Sequence, residues 1–390
     1  MADHKIAKTQ VADRRNLSAS VGKVALMIGQ LGTGGAEKQL VMLARGLRDH
    51  GIDTSVWTLT PGGTWEDMLR RERIPVIDMG IHGLRRARST VPSATKFGRT
   101  VWTVRRDPPE VLHAFLWAAY VIAAPVARIA RIPVLVAGRR SLGNFKDGHL
   151  MRVVAERWAN RATDLLIANA DAVAEDTKRR ECVRDGKIIT IYNGLPEEAF
   201  VEVSPALVDS TKPVVLCVAN LLGYKGHRHL LEALSRLQRK GRPCTLLLAG
   251  EGRERRALEF QAARLSIDVR FLGTCPDVRP YLARAAVVAH PSDEEGMSNA
   301  VMEAMAAGRP VVATAVGGTP ELLAGRGLLV PPADPAALAD GIERLLDDPS
   351  LASQLAESAQ QWSRQNLSAE AMVDRHIQAY SELLGRQCAG

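Results

Sequence analysis

Apolar residues in this chain come in short blocks separated by longer stretches of helical period. The first block, residues 23–30, holds Val24, Ala25, Leu26, Met27 and Ile28 in a row. It is too short for a helix and lacks the alternation of a half-exposed strand, so it reads as a buried parallel strand. A Gly-rich turn follows. Residues 36–50 then place Leu40, Leu43, Ala44 and Leu47 on one helical face, and Gly51 ends the run. The same strand–helix alternation predicts strands at 54–59, 76–78, 111–114, 134–137, 165–169 and 187–192. Residues 196–213 lose periodicity and contain Pro196, Pro205 and Pro213. A second series then predicts strands at 214–220, 245–250, 269–273, 287–290, 311–315 and 328–330, with helices between them, including 229–240 and 335–346. The pattern predicts an α/β chain with two Rossmann-like, doubly wound parallel-sheet domains facing a cleft. Ligands of such folds sit at the carboxyl ends of the strands. The layout reads as a disordered tail over 1–22, a first domain over 23–200, a linker over 201–213, a second domain over 214–368 and a final segment over 369–390 with a helix near 370–384.

The most informative stretch is 291–321, PSDEEGMSNAVMEAMAAGRPVVATAVGGTPE. Glu295 lies in a Gly-containing loop, and Glu303 lies eight residues on, two turns into a helix that Ser298 or Asn299 can cap. Gly308 and Pro310 stop that helix. A second glycine pair, Gly317 and Gly318, leads to Glu321. A loop opening onto a helix N-terminus favours a phosphate, and a carboxylate on the same helix can accept two hydrogen bonds from a vicinal diol. Phosphate and diol together suggest a sugar nucleotide. Glu303 fits the ribose diol, Glu295 fits hydroxyls of a sugar, and the backbone of Gly296, Met297, Ser298 and Asn299 fits a diphosphate. Lys225, in NLLGYKG after the first strand of the second domain, stands at the cleft mouth. Its ammonium is either a surface charge of a βα turn or a diphosphate contact.

The segment resembles the donor-site signature of the family-4 retaining glycosyltransferases, which have the GT-B fold, and in particular members acting on bacterial polysaccharides and glycolipids. The likeness runs over nearly the whole chain after residue 22 and is strongest from 214 to 322. It implies that the Lys225-Gly226 pair binds the donor diphosphate and neutralises the leaving group. The family often has Arg where this chain has Asn220, which shifts weight onto Lys225 and the backbone amides. It also implies that His113 lines the donor-sugar pocket, so that the expected catalytic set is His113, Lys225 and Glu295. Gly34 and Gly35, in GTGGAE after the first strand, either approach phosphates or acceptor or merely permit a tight turn. Arg139, Arg140 and Asn144 either face an acceptor phosphate or are solvated. The resemblance further implies a final helix that crosses back onto the first domain, front-face retention and no catalytic metal. Asp293, Glu294 and Glu295 are adjacent and cannot all converge on one ion from a single loop.

At 390 residues the chain exceeds one ordinary core. No apolar run approaches the length of a membrane span; the candidate at 118–127 contains Tyr120 and Pro125. Five scattered cysteines without zinc or redox spacing fit a reducing compartment. Residues 1–200 carry 31 Lys and Arg against 21 Asp and Glu, while the remainder carries 20 against 22. The first half therefore favours an acidic partner. Between Leu84 and Arg106, basic residues Arg85, Arg86, Arg88, Lys96, Arg99, Arg105 and Arg106 alternate with Val91, Phe97, Val101 and Trp102. That run is either a solvated helix or a patch resting on an anionic membrane. Aromatic content of 4% and the absence of an RNA-binding pattern argue against nucleic acid. The expectation is a cytoplasmic enzyme, soluble or peripheral on the inner membrane face. It moves a hexose or N-acetylhexosamine from a nucleoside diphosphate sugar, a UDP-sugar favoured over a GDP-sugar, to a hydroxyl of a glycan or lipid-linked acceptor. The rivals are a GT-B sugar-nucleotide epimerase and a non-catalytic basic binding protein.

Overall fold

The computed structural model describes residues 21–81 and 90–388. The first domain is a seven-stranded sheet built from β1 (Lys23–Ile28), β2 (Asp53–Thr58), β3 (Val76–Asp78), β4 (Val111–Phe115), β5 (Val134–Arg139), β6 (Leu165–Ala168) and β7 (Ile188–Thr190). Its order is β3-β2-β1-β4-β5-β6-β7. The second has six strands: β8 (Val214–Val218), β9 (Thr245–Ala249), β10 (Asp268–Gly273), β11 (Val287–His290), β12 (Val311–Thr314) and β13 (Leu328–Val330). They run in the order β10-β9-β8-β11-β12-β13. All pairings within both sheets are parallel, so helices cover both faces and most strands are buried on both sides. The strand order reverses between β1 and β4 in one sheet and between β8 and β11 in the other. Each reversal opens a crevice at the strands' carboxyl ends. The loops after β1, β5, β8 and β11 carry most of the candidate chemistry.

The chain passes between domains twice, side by side. Leu195 N–H donates to Leu367 O at 2.7 Å, and Ala369 N–H donates to Leu195 O at 2.8 Å. The final helix, Ala369–Cys388, then packs on the first domain, where Met372, Val373, Ile377 and Tyr380 share a buried cluster with Leu40, Leu43 and Leu47 of helix Gly35–Asp49. Gly46 lies within that contact: a Cβ there would stand 2.3 Å from Val373 Cγ2. Of the tail expected over 1–22, residues 1–20 lie outside the described residues. Val21 and Gly22 do not belong to a tail, because Val21 is buried and Gly22 N–H donates to Glu110 at 2.6 Å.

Replacing Gly46 with Val forces a branched side chain into the Val373 contact. The variant should lose about 1–3 kcal/mol in urea unfolding. Unchanged stability would show that the two helices part easily.

Candidate functional site

His290 ends β11, and the chain then turns through 291–298 into helix Asn299–Ala306. Ser298 caps that helix, its Oγ accepting from Val301 N–H at 3.3 Å. The loop is fixed from beneath, where Thr314 Oγ1 donates to Ser292 O. It is fixed from the side by Gly226, which has φ +67° and would put a Cβ 1.9 Å from Pro291 O. Any side chain at 226 is thus excluded twice, by conformation and by contact. This glycine lets the β8 loop lie on the β11 loop and brings Lys225 Nζ to 2.6 Å from Glu295 Oε1.

The same carboxylate oxygen lies 2.7 Å from His290 Nε2 and accepts from Ser292 Oγ at 2.8 Å. Burial works against an ionised Glu295, but the hydrogen bond and charge of His290, with those of Lys225, outweigh it and hold the carboxyl down to about 2. Asp293 turns away toward Arg228, at 3.4 Å, so the neighbouring acids diverge. Among the described residues no three metal-binding side chains gather. Backbone N–H groups of Gly296, Met297, Ser298 and Asn299 donate to no protein acceptor among the described residues, which leaves the N-terminus of the Asn299 helix open to an anion. Met297 itself packs its side chain in the core. Asn220 is exposed at the end of β8.

The first domain meets this loop directly. Gly35 approaches Asn299, whose Nδ2 donates to Gly35 O at 3.4 Å. Asn193 Nδ2 donates to Asn299 Oδ1 at 2.8 Å. Lys38 Nζ reaches Glu303 Oε1 at 2.5 Å. Gly296 lies against the Arg140 backbone, since a Cβ there would stand 2.3 Å from Arg140 O. Gly34 is the N-cap of helix Gly35–Asp49, with its backbone extended. Glu321 crosses between domains and accepts from the N–H groups of Asp171 and Ala172 at 2.8 and 2.7 Å, capping helix Asp171–Glu181.

Three expected site residues are placed elsewhere. His113 is fully buried in β4, its Nδ1 2.7 Å from Tyr380 Oη and its ring against His376 and Phe115. It faces the core beneath the final helix, which does not fit a sugar-positioning role. Asn144 accepts from Arg180 at 2.7 Å on the surface and is removed from the acceptor set. Arg139 is buried and tied to Glu181 at 3.0 Å and Asn160 at 2.7 Å beneath the Tyr120 ring, so it is not a solvated cleft charge. Of the expected acceptor residues Arg139, Arg140 and Asn144, Arg140 alone reaches the domain seam, through Asn193 Oδ1 at 2.6 Å. Conversely, Lys38, Asn193, His290 and Ser292 join the site without having been singled out, as does Gln39, whose Nε2 donates to Gly194 O at 2.8 Å and lies 3.5 Å from Asn299 Oδ1.

Because the folded carboxyl of Glu295 lies below its ordinary value of 4.5, its stabilising effect is complete above that pH. It is lost as the pH falls toward about 2. In urea unfolding, the stability gap between wild type and Glu295→Gln should be up to about 3 kcal/mol wider at pH 7 than at pH 2–3. A gap independent of pH would contradict the Lys225–Glu295–His290 arrangement.

Two family models match consecutive parts of the chain: Glycosyltransferase Family 4 over residues 33–199 and Glycosyl transferases group 1 over residues 212–348. A lipopolysaccharide core biosynthesis glycosyltransferase, LpsE of Rhizobium meliloti, is 28% identical over 349 residues, spanning 88% of this chain and 95% of its own. Anabaena HepE, solved in complex with UDP-glucose, superposes with a TM-score of 0.81 at 25% identity, covering 92% of this chain and 99% of HepE. WaaG, a glycosyltransferase involved in lipopolysaccharide biosynthesis, matches in fold with a TM-score of 0.70 at 18% identity, covering 92% and 99%.

Proposed function

The chain is a family-4 glycosyltransferase with the GT-B fold, and on that premise we propose that it moves a hexose or N-acetylhexosamine, with retention, from a UDP-sugar to a hydroxyl of a glycan or lipid-linked acceptor. The setting proposed is cell-surface polysaccharide or glycolipid assembly, in keeping with the lipopolysaccharide relative. The observation that carries this reading is the meeting of Lys225 and Glu295 beside the open amides of the Asn299 helix. Those amides and Lys225 cradle the diphosphate. Glu295, kept ionised, accepts from hydroxyls of the sugar. Glu303 takes the ribose diol; Lys38 occupies one of its lone-pair sites, and a carboxylate offers about four. Asn220 lies beside the cradle as a neutral donor. In the transfer step the acceptor oxygen bonds to the anomeric carbon on the face from which the diphosphate departs. The acceptor proton passes to the departing phosphate oxygen, and Lys225 neutralises the charge that builds there. No metal is assigned a part.

Glu303→Ala and Lys225→Ala should each abolish transfer while leaving the far-ultraviolet circular dichroism of the fold unchanged; turnover like wild type in either purified variant would remove the site assignment. UDP-sugars should raise the melting temperature more than GDP- or ADP-sugars do. Incubation with donor alone should leave its sugar unchanged, since interconversion without acceptor would mark an epimerase.

We place the membrane contact on a different face from the one the sequence suggested. Residues 82–89 of the basic run lie outside the described residues. In helix Thr90–Arg106, Lys96 is bound to Asp78 and Arg105 to Ile129 O. Helix Leu150–Ala162 instead exposes Leu150, Met151, Val154 and Trp158 by 75, 81, 55 and 47%. Arg157 and Arg161 of the same helix line a groove of about 540 Å³ with Arg184 and Lys187. Apolar side chains flanked by cations suit an anionic bilayer surface. The protein should co-sediment with phosphatidylglycerol vesicles but not with phosphatidylcholine vesicles, and Leu150→Ser with Met151→Ser should release it. Equal binding to both vesicle types, or dimerisation that the double variant abolishes, would contradict the assignment.

A further inference from the structure

Among the described residues Arg140 has no carboxylate partner. Its guanidinium lies over the Phe115 ring at 4.6 Å, and burial pulls it down to about 10, so it stays charged at neutral pH. Its Nη1 donates to Asn193 Oδ1 at 2.6 Å. A guanidinium has no acceptor, so only the amide oxygen of Asn193 can face it. The amide nitrogen of Asn193 is thereby turned to Asn299 and donates to its Oδ1 at 2.8 Å. Asn299 then has its own amide nitrogen for Gly35 O, at 3.4 Å. A carbonyl oxygen can only accept, so the far end of the chain demands the same orientation as the near end. Two amides thus run in series from the guanidinium to the first residue of helix Asn299–Ala306. Hydrogen bonds in such a chain polarise one another.

Asn193 is held firmly on its own side. It is buried, and Gln39 grips the next residue twice, accepting from Gly194 N–H at 2.8 Å and donating to Gly194 O at 2.8 Å. Gly194 lies where the chain crosses between domains, since a Cβ there would stand 2.8 Å from Ala369 Cα. Leu195 beside it is bonded to both Leu367 and Ala369. Position 193 therefore moves with the first domain, whereas Asn299 belongs to the second. Their bond ends on the segment that carries the open amides of Gly296, Met297, Ser298 and Asn299.

We infer that Asn193 is a positioning residue for the donor: it sets Asn299, and with it the open amides, in the orientation that receives the diphosphate. The inference rests on the glycosyltransferase reading and deepens it. Donor affinity is completed by a first-domain side chain outside the diphosphate cradle, and the charge of Arg140 acts on the cradle through two amides. By linkage, nucleotide binding and closure of this seam strengthen each other.

The test is a calorimetric titration of the intact protein with UDP, with the melting temperature of each variant measured alongside. Asn193→Ala should weaken UDP by roughly threefold to tenfold, the loss of neutral hydrogen bonds. Asn193→Asp separates positioning from stability. It gives Arg140 a carboxylate, so its melting temperature should equal or exceed that of Asn193→Ala. It cannot donate to Asn299 and brings a negative charge toward the cradle, so it should bind UDP more weakly than Asn193→Ala does. A residue that only secures the chain crossing would let affinity follow stability. In an Asn299→Ala background, Asn193→Ala should weaken UDP no further. Without nucleotide, Asn193→Ala should speed hydrogen exchange across residues 299–306 by roughly threefold or more. Wild-type UDP affinity in Asn193→Ala, affinity in Asn193→Asp at or above that of Asn193→Ala, a lower melting temperature in Asn193→Asp, additive losses in the double variant, or unchanged exchange would each overturn the inference. Failure of UDP to bind wild type would instead count against the donor reading, and the exchange arm would still decide whether Asn193 holds the helix.

Discussion

The contact between Lys225 and Glu295 is the constraint on which the site depends. It unites two loops seventy residues apart, one after β8 and one after β11, on either side of the point where the sheet order reverses. Gly226 makes it possible, since only a residue without a side chain can adopt that turn against Pro291 O. Two charges this enclosed are expensive to keep out of water. His290 and Ser292 share the load by hydrogen bonding to the same oxygen as the lysine. The pair is poised to be redistributed: an incoming diphosphate competes for the ammonium, and a sugar hydroxyl can donate to the carboxylate the lysine leaves behind.

Around that pair the two domains are joined by polar contacts at their carboxyl edges. Asn299 bonds to Gly35 and Asn193, Glu303 meets Lys38, and Glu321 caps a helix of the opposite domain. Burial raises the Glu321 carboxyl while the two backbone N–H groups it accepts from act against that rise. Polar seams of this kind can be remade at modest cost, unlike the apolar packing of Val373 on Gly46 at the other side of the crossing. The architecture thus pairs a firm anchor, the final helix, with a cleft whose edges can exchange partners.

Much of the fold was legible in the chain because its strands are uninterrupted apolar blocks and its helices carry a clear period. That Ser298 or Asn299 caps a helix, and that Lys225 lies in the turn after β8, were equally readable, being local; Ser298 is the cap. His113 was misread for a reason of pleat parity. It shares a strand face with Val111 and Phe115, both in the cluster beneath the final helix. A histidine near a strand end looks the same in sequence whether that face opens to the crevice or is covered. Arg139 shares the parity of Leu135 and Ala137 and enters the opposite core, where Glu181 and Asn160 await it, while Arg140 reaches the seam. Lys38, Gln39 and Asn193 meet the second domain only in three dimensions, and no local spacing announces them. His290 and Ser292 flank the loop that was singled out, and the end of β11 was the signal that could have found them.

The most direct measurement compares UDP with UDP-glucose binding in wild type, Lys225→Ala and Glu295→Gln. If lysine grips the diphosphate and Glu295 the sugar, Lys225→Ala should weaken both ligands alike, by roughly tenfold or more. Glu295→Gln should erase most of the difference between UDP-glucose and UDP. Variants that bind both ligands as wild type does would contradict the account.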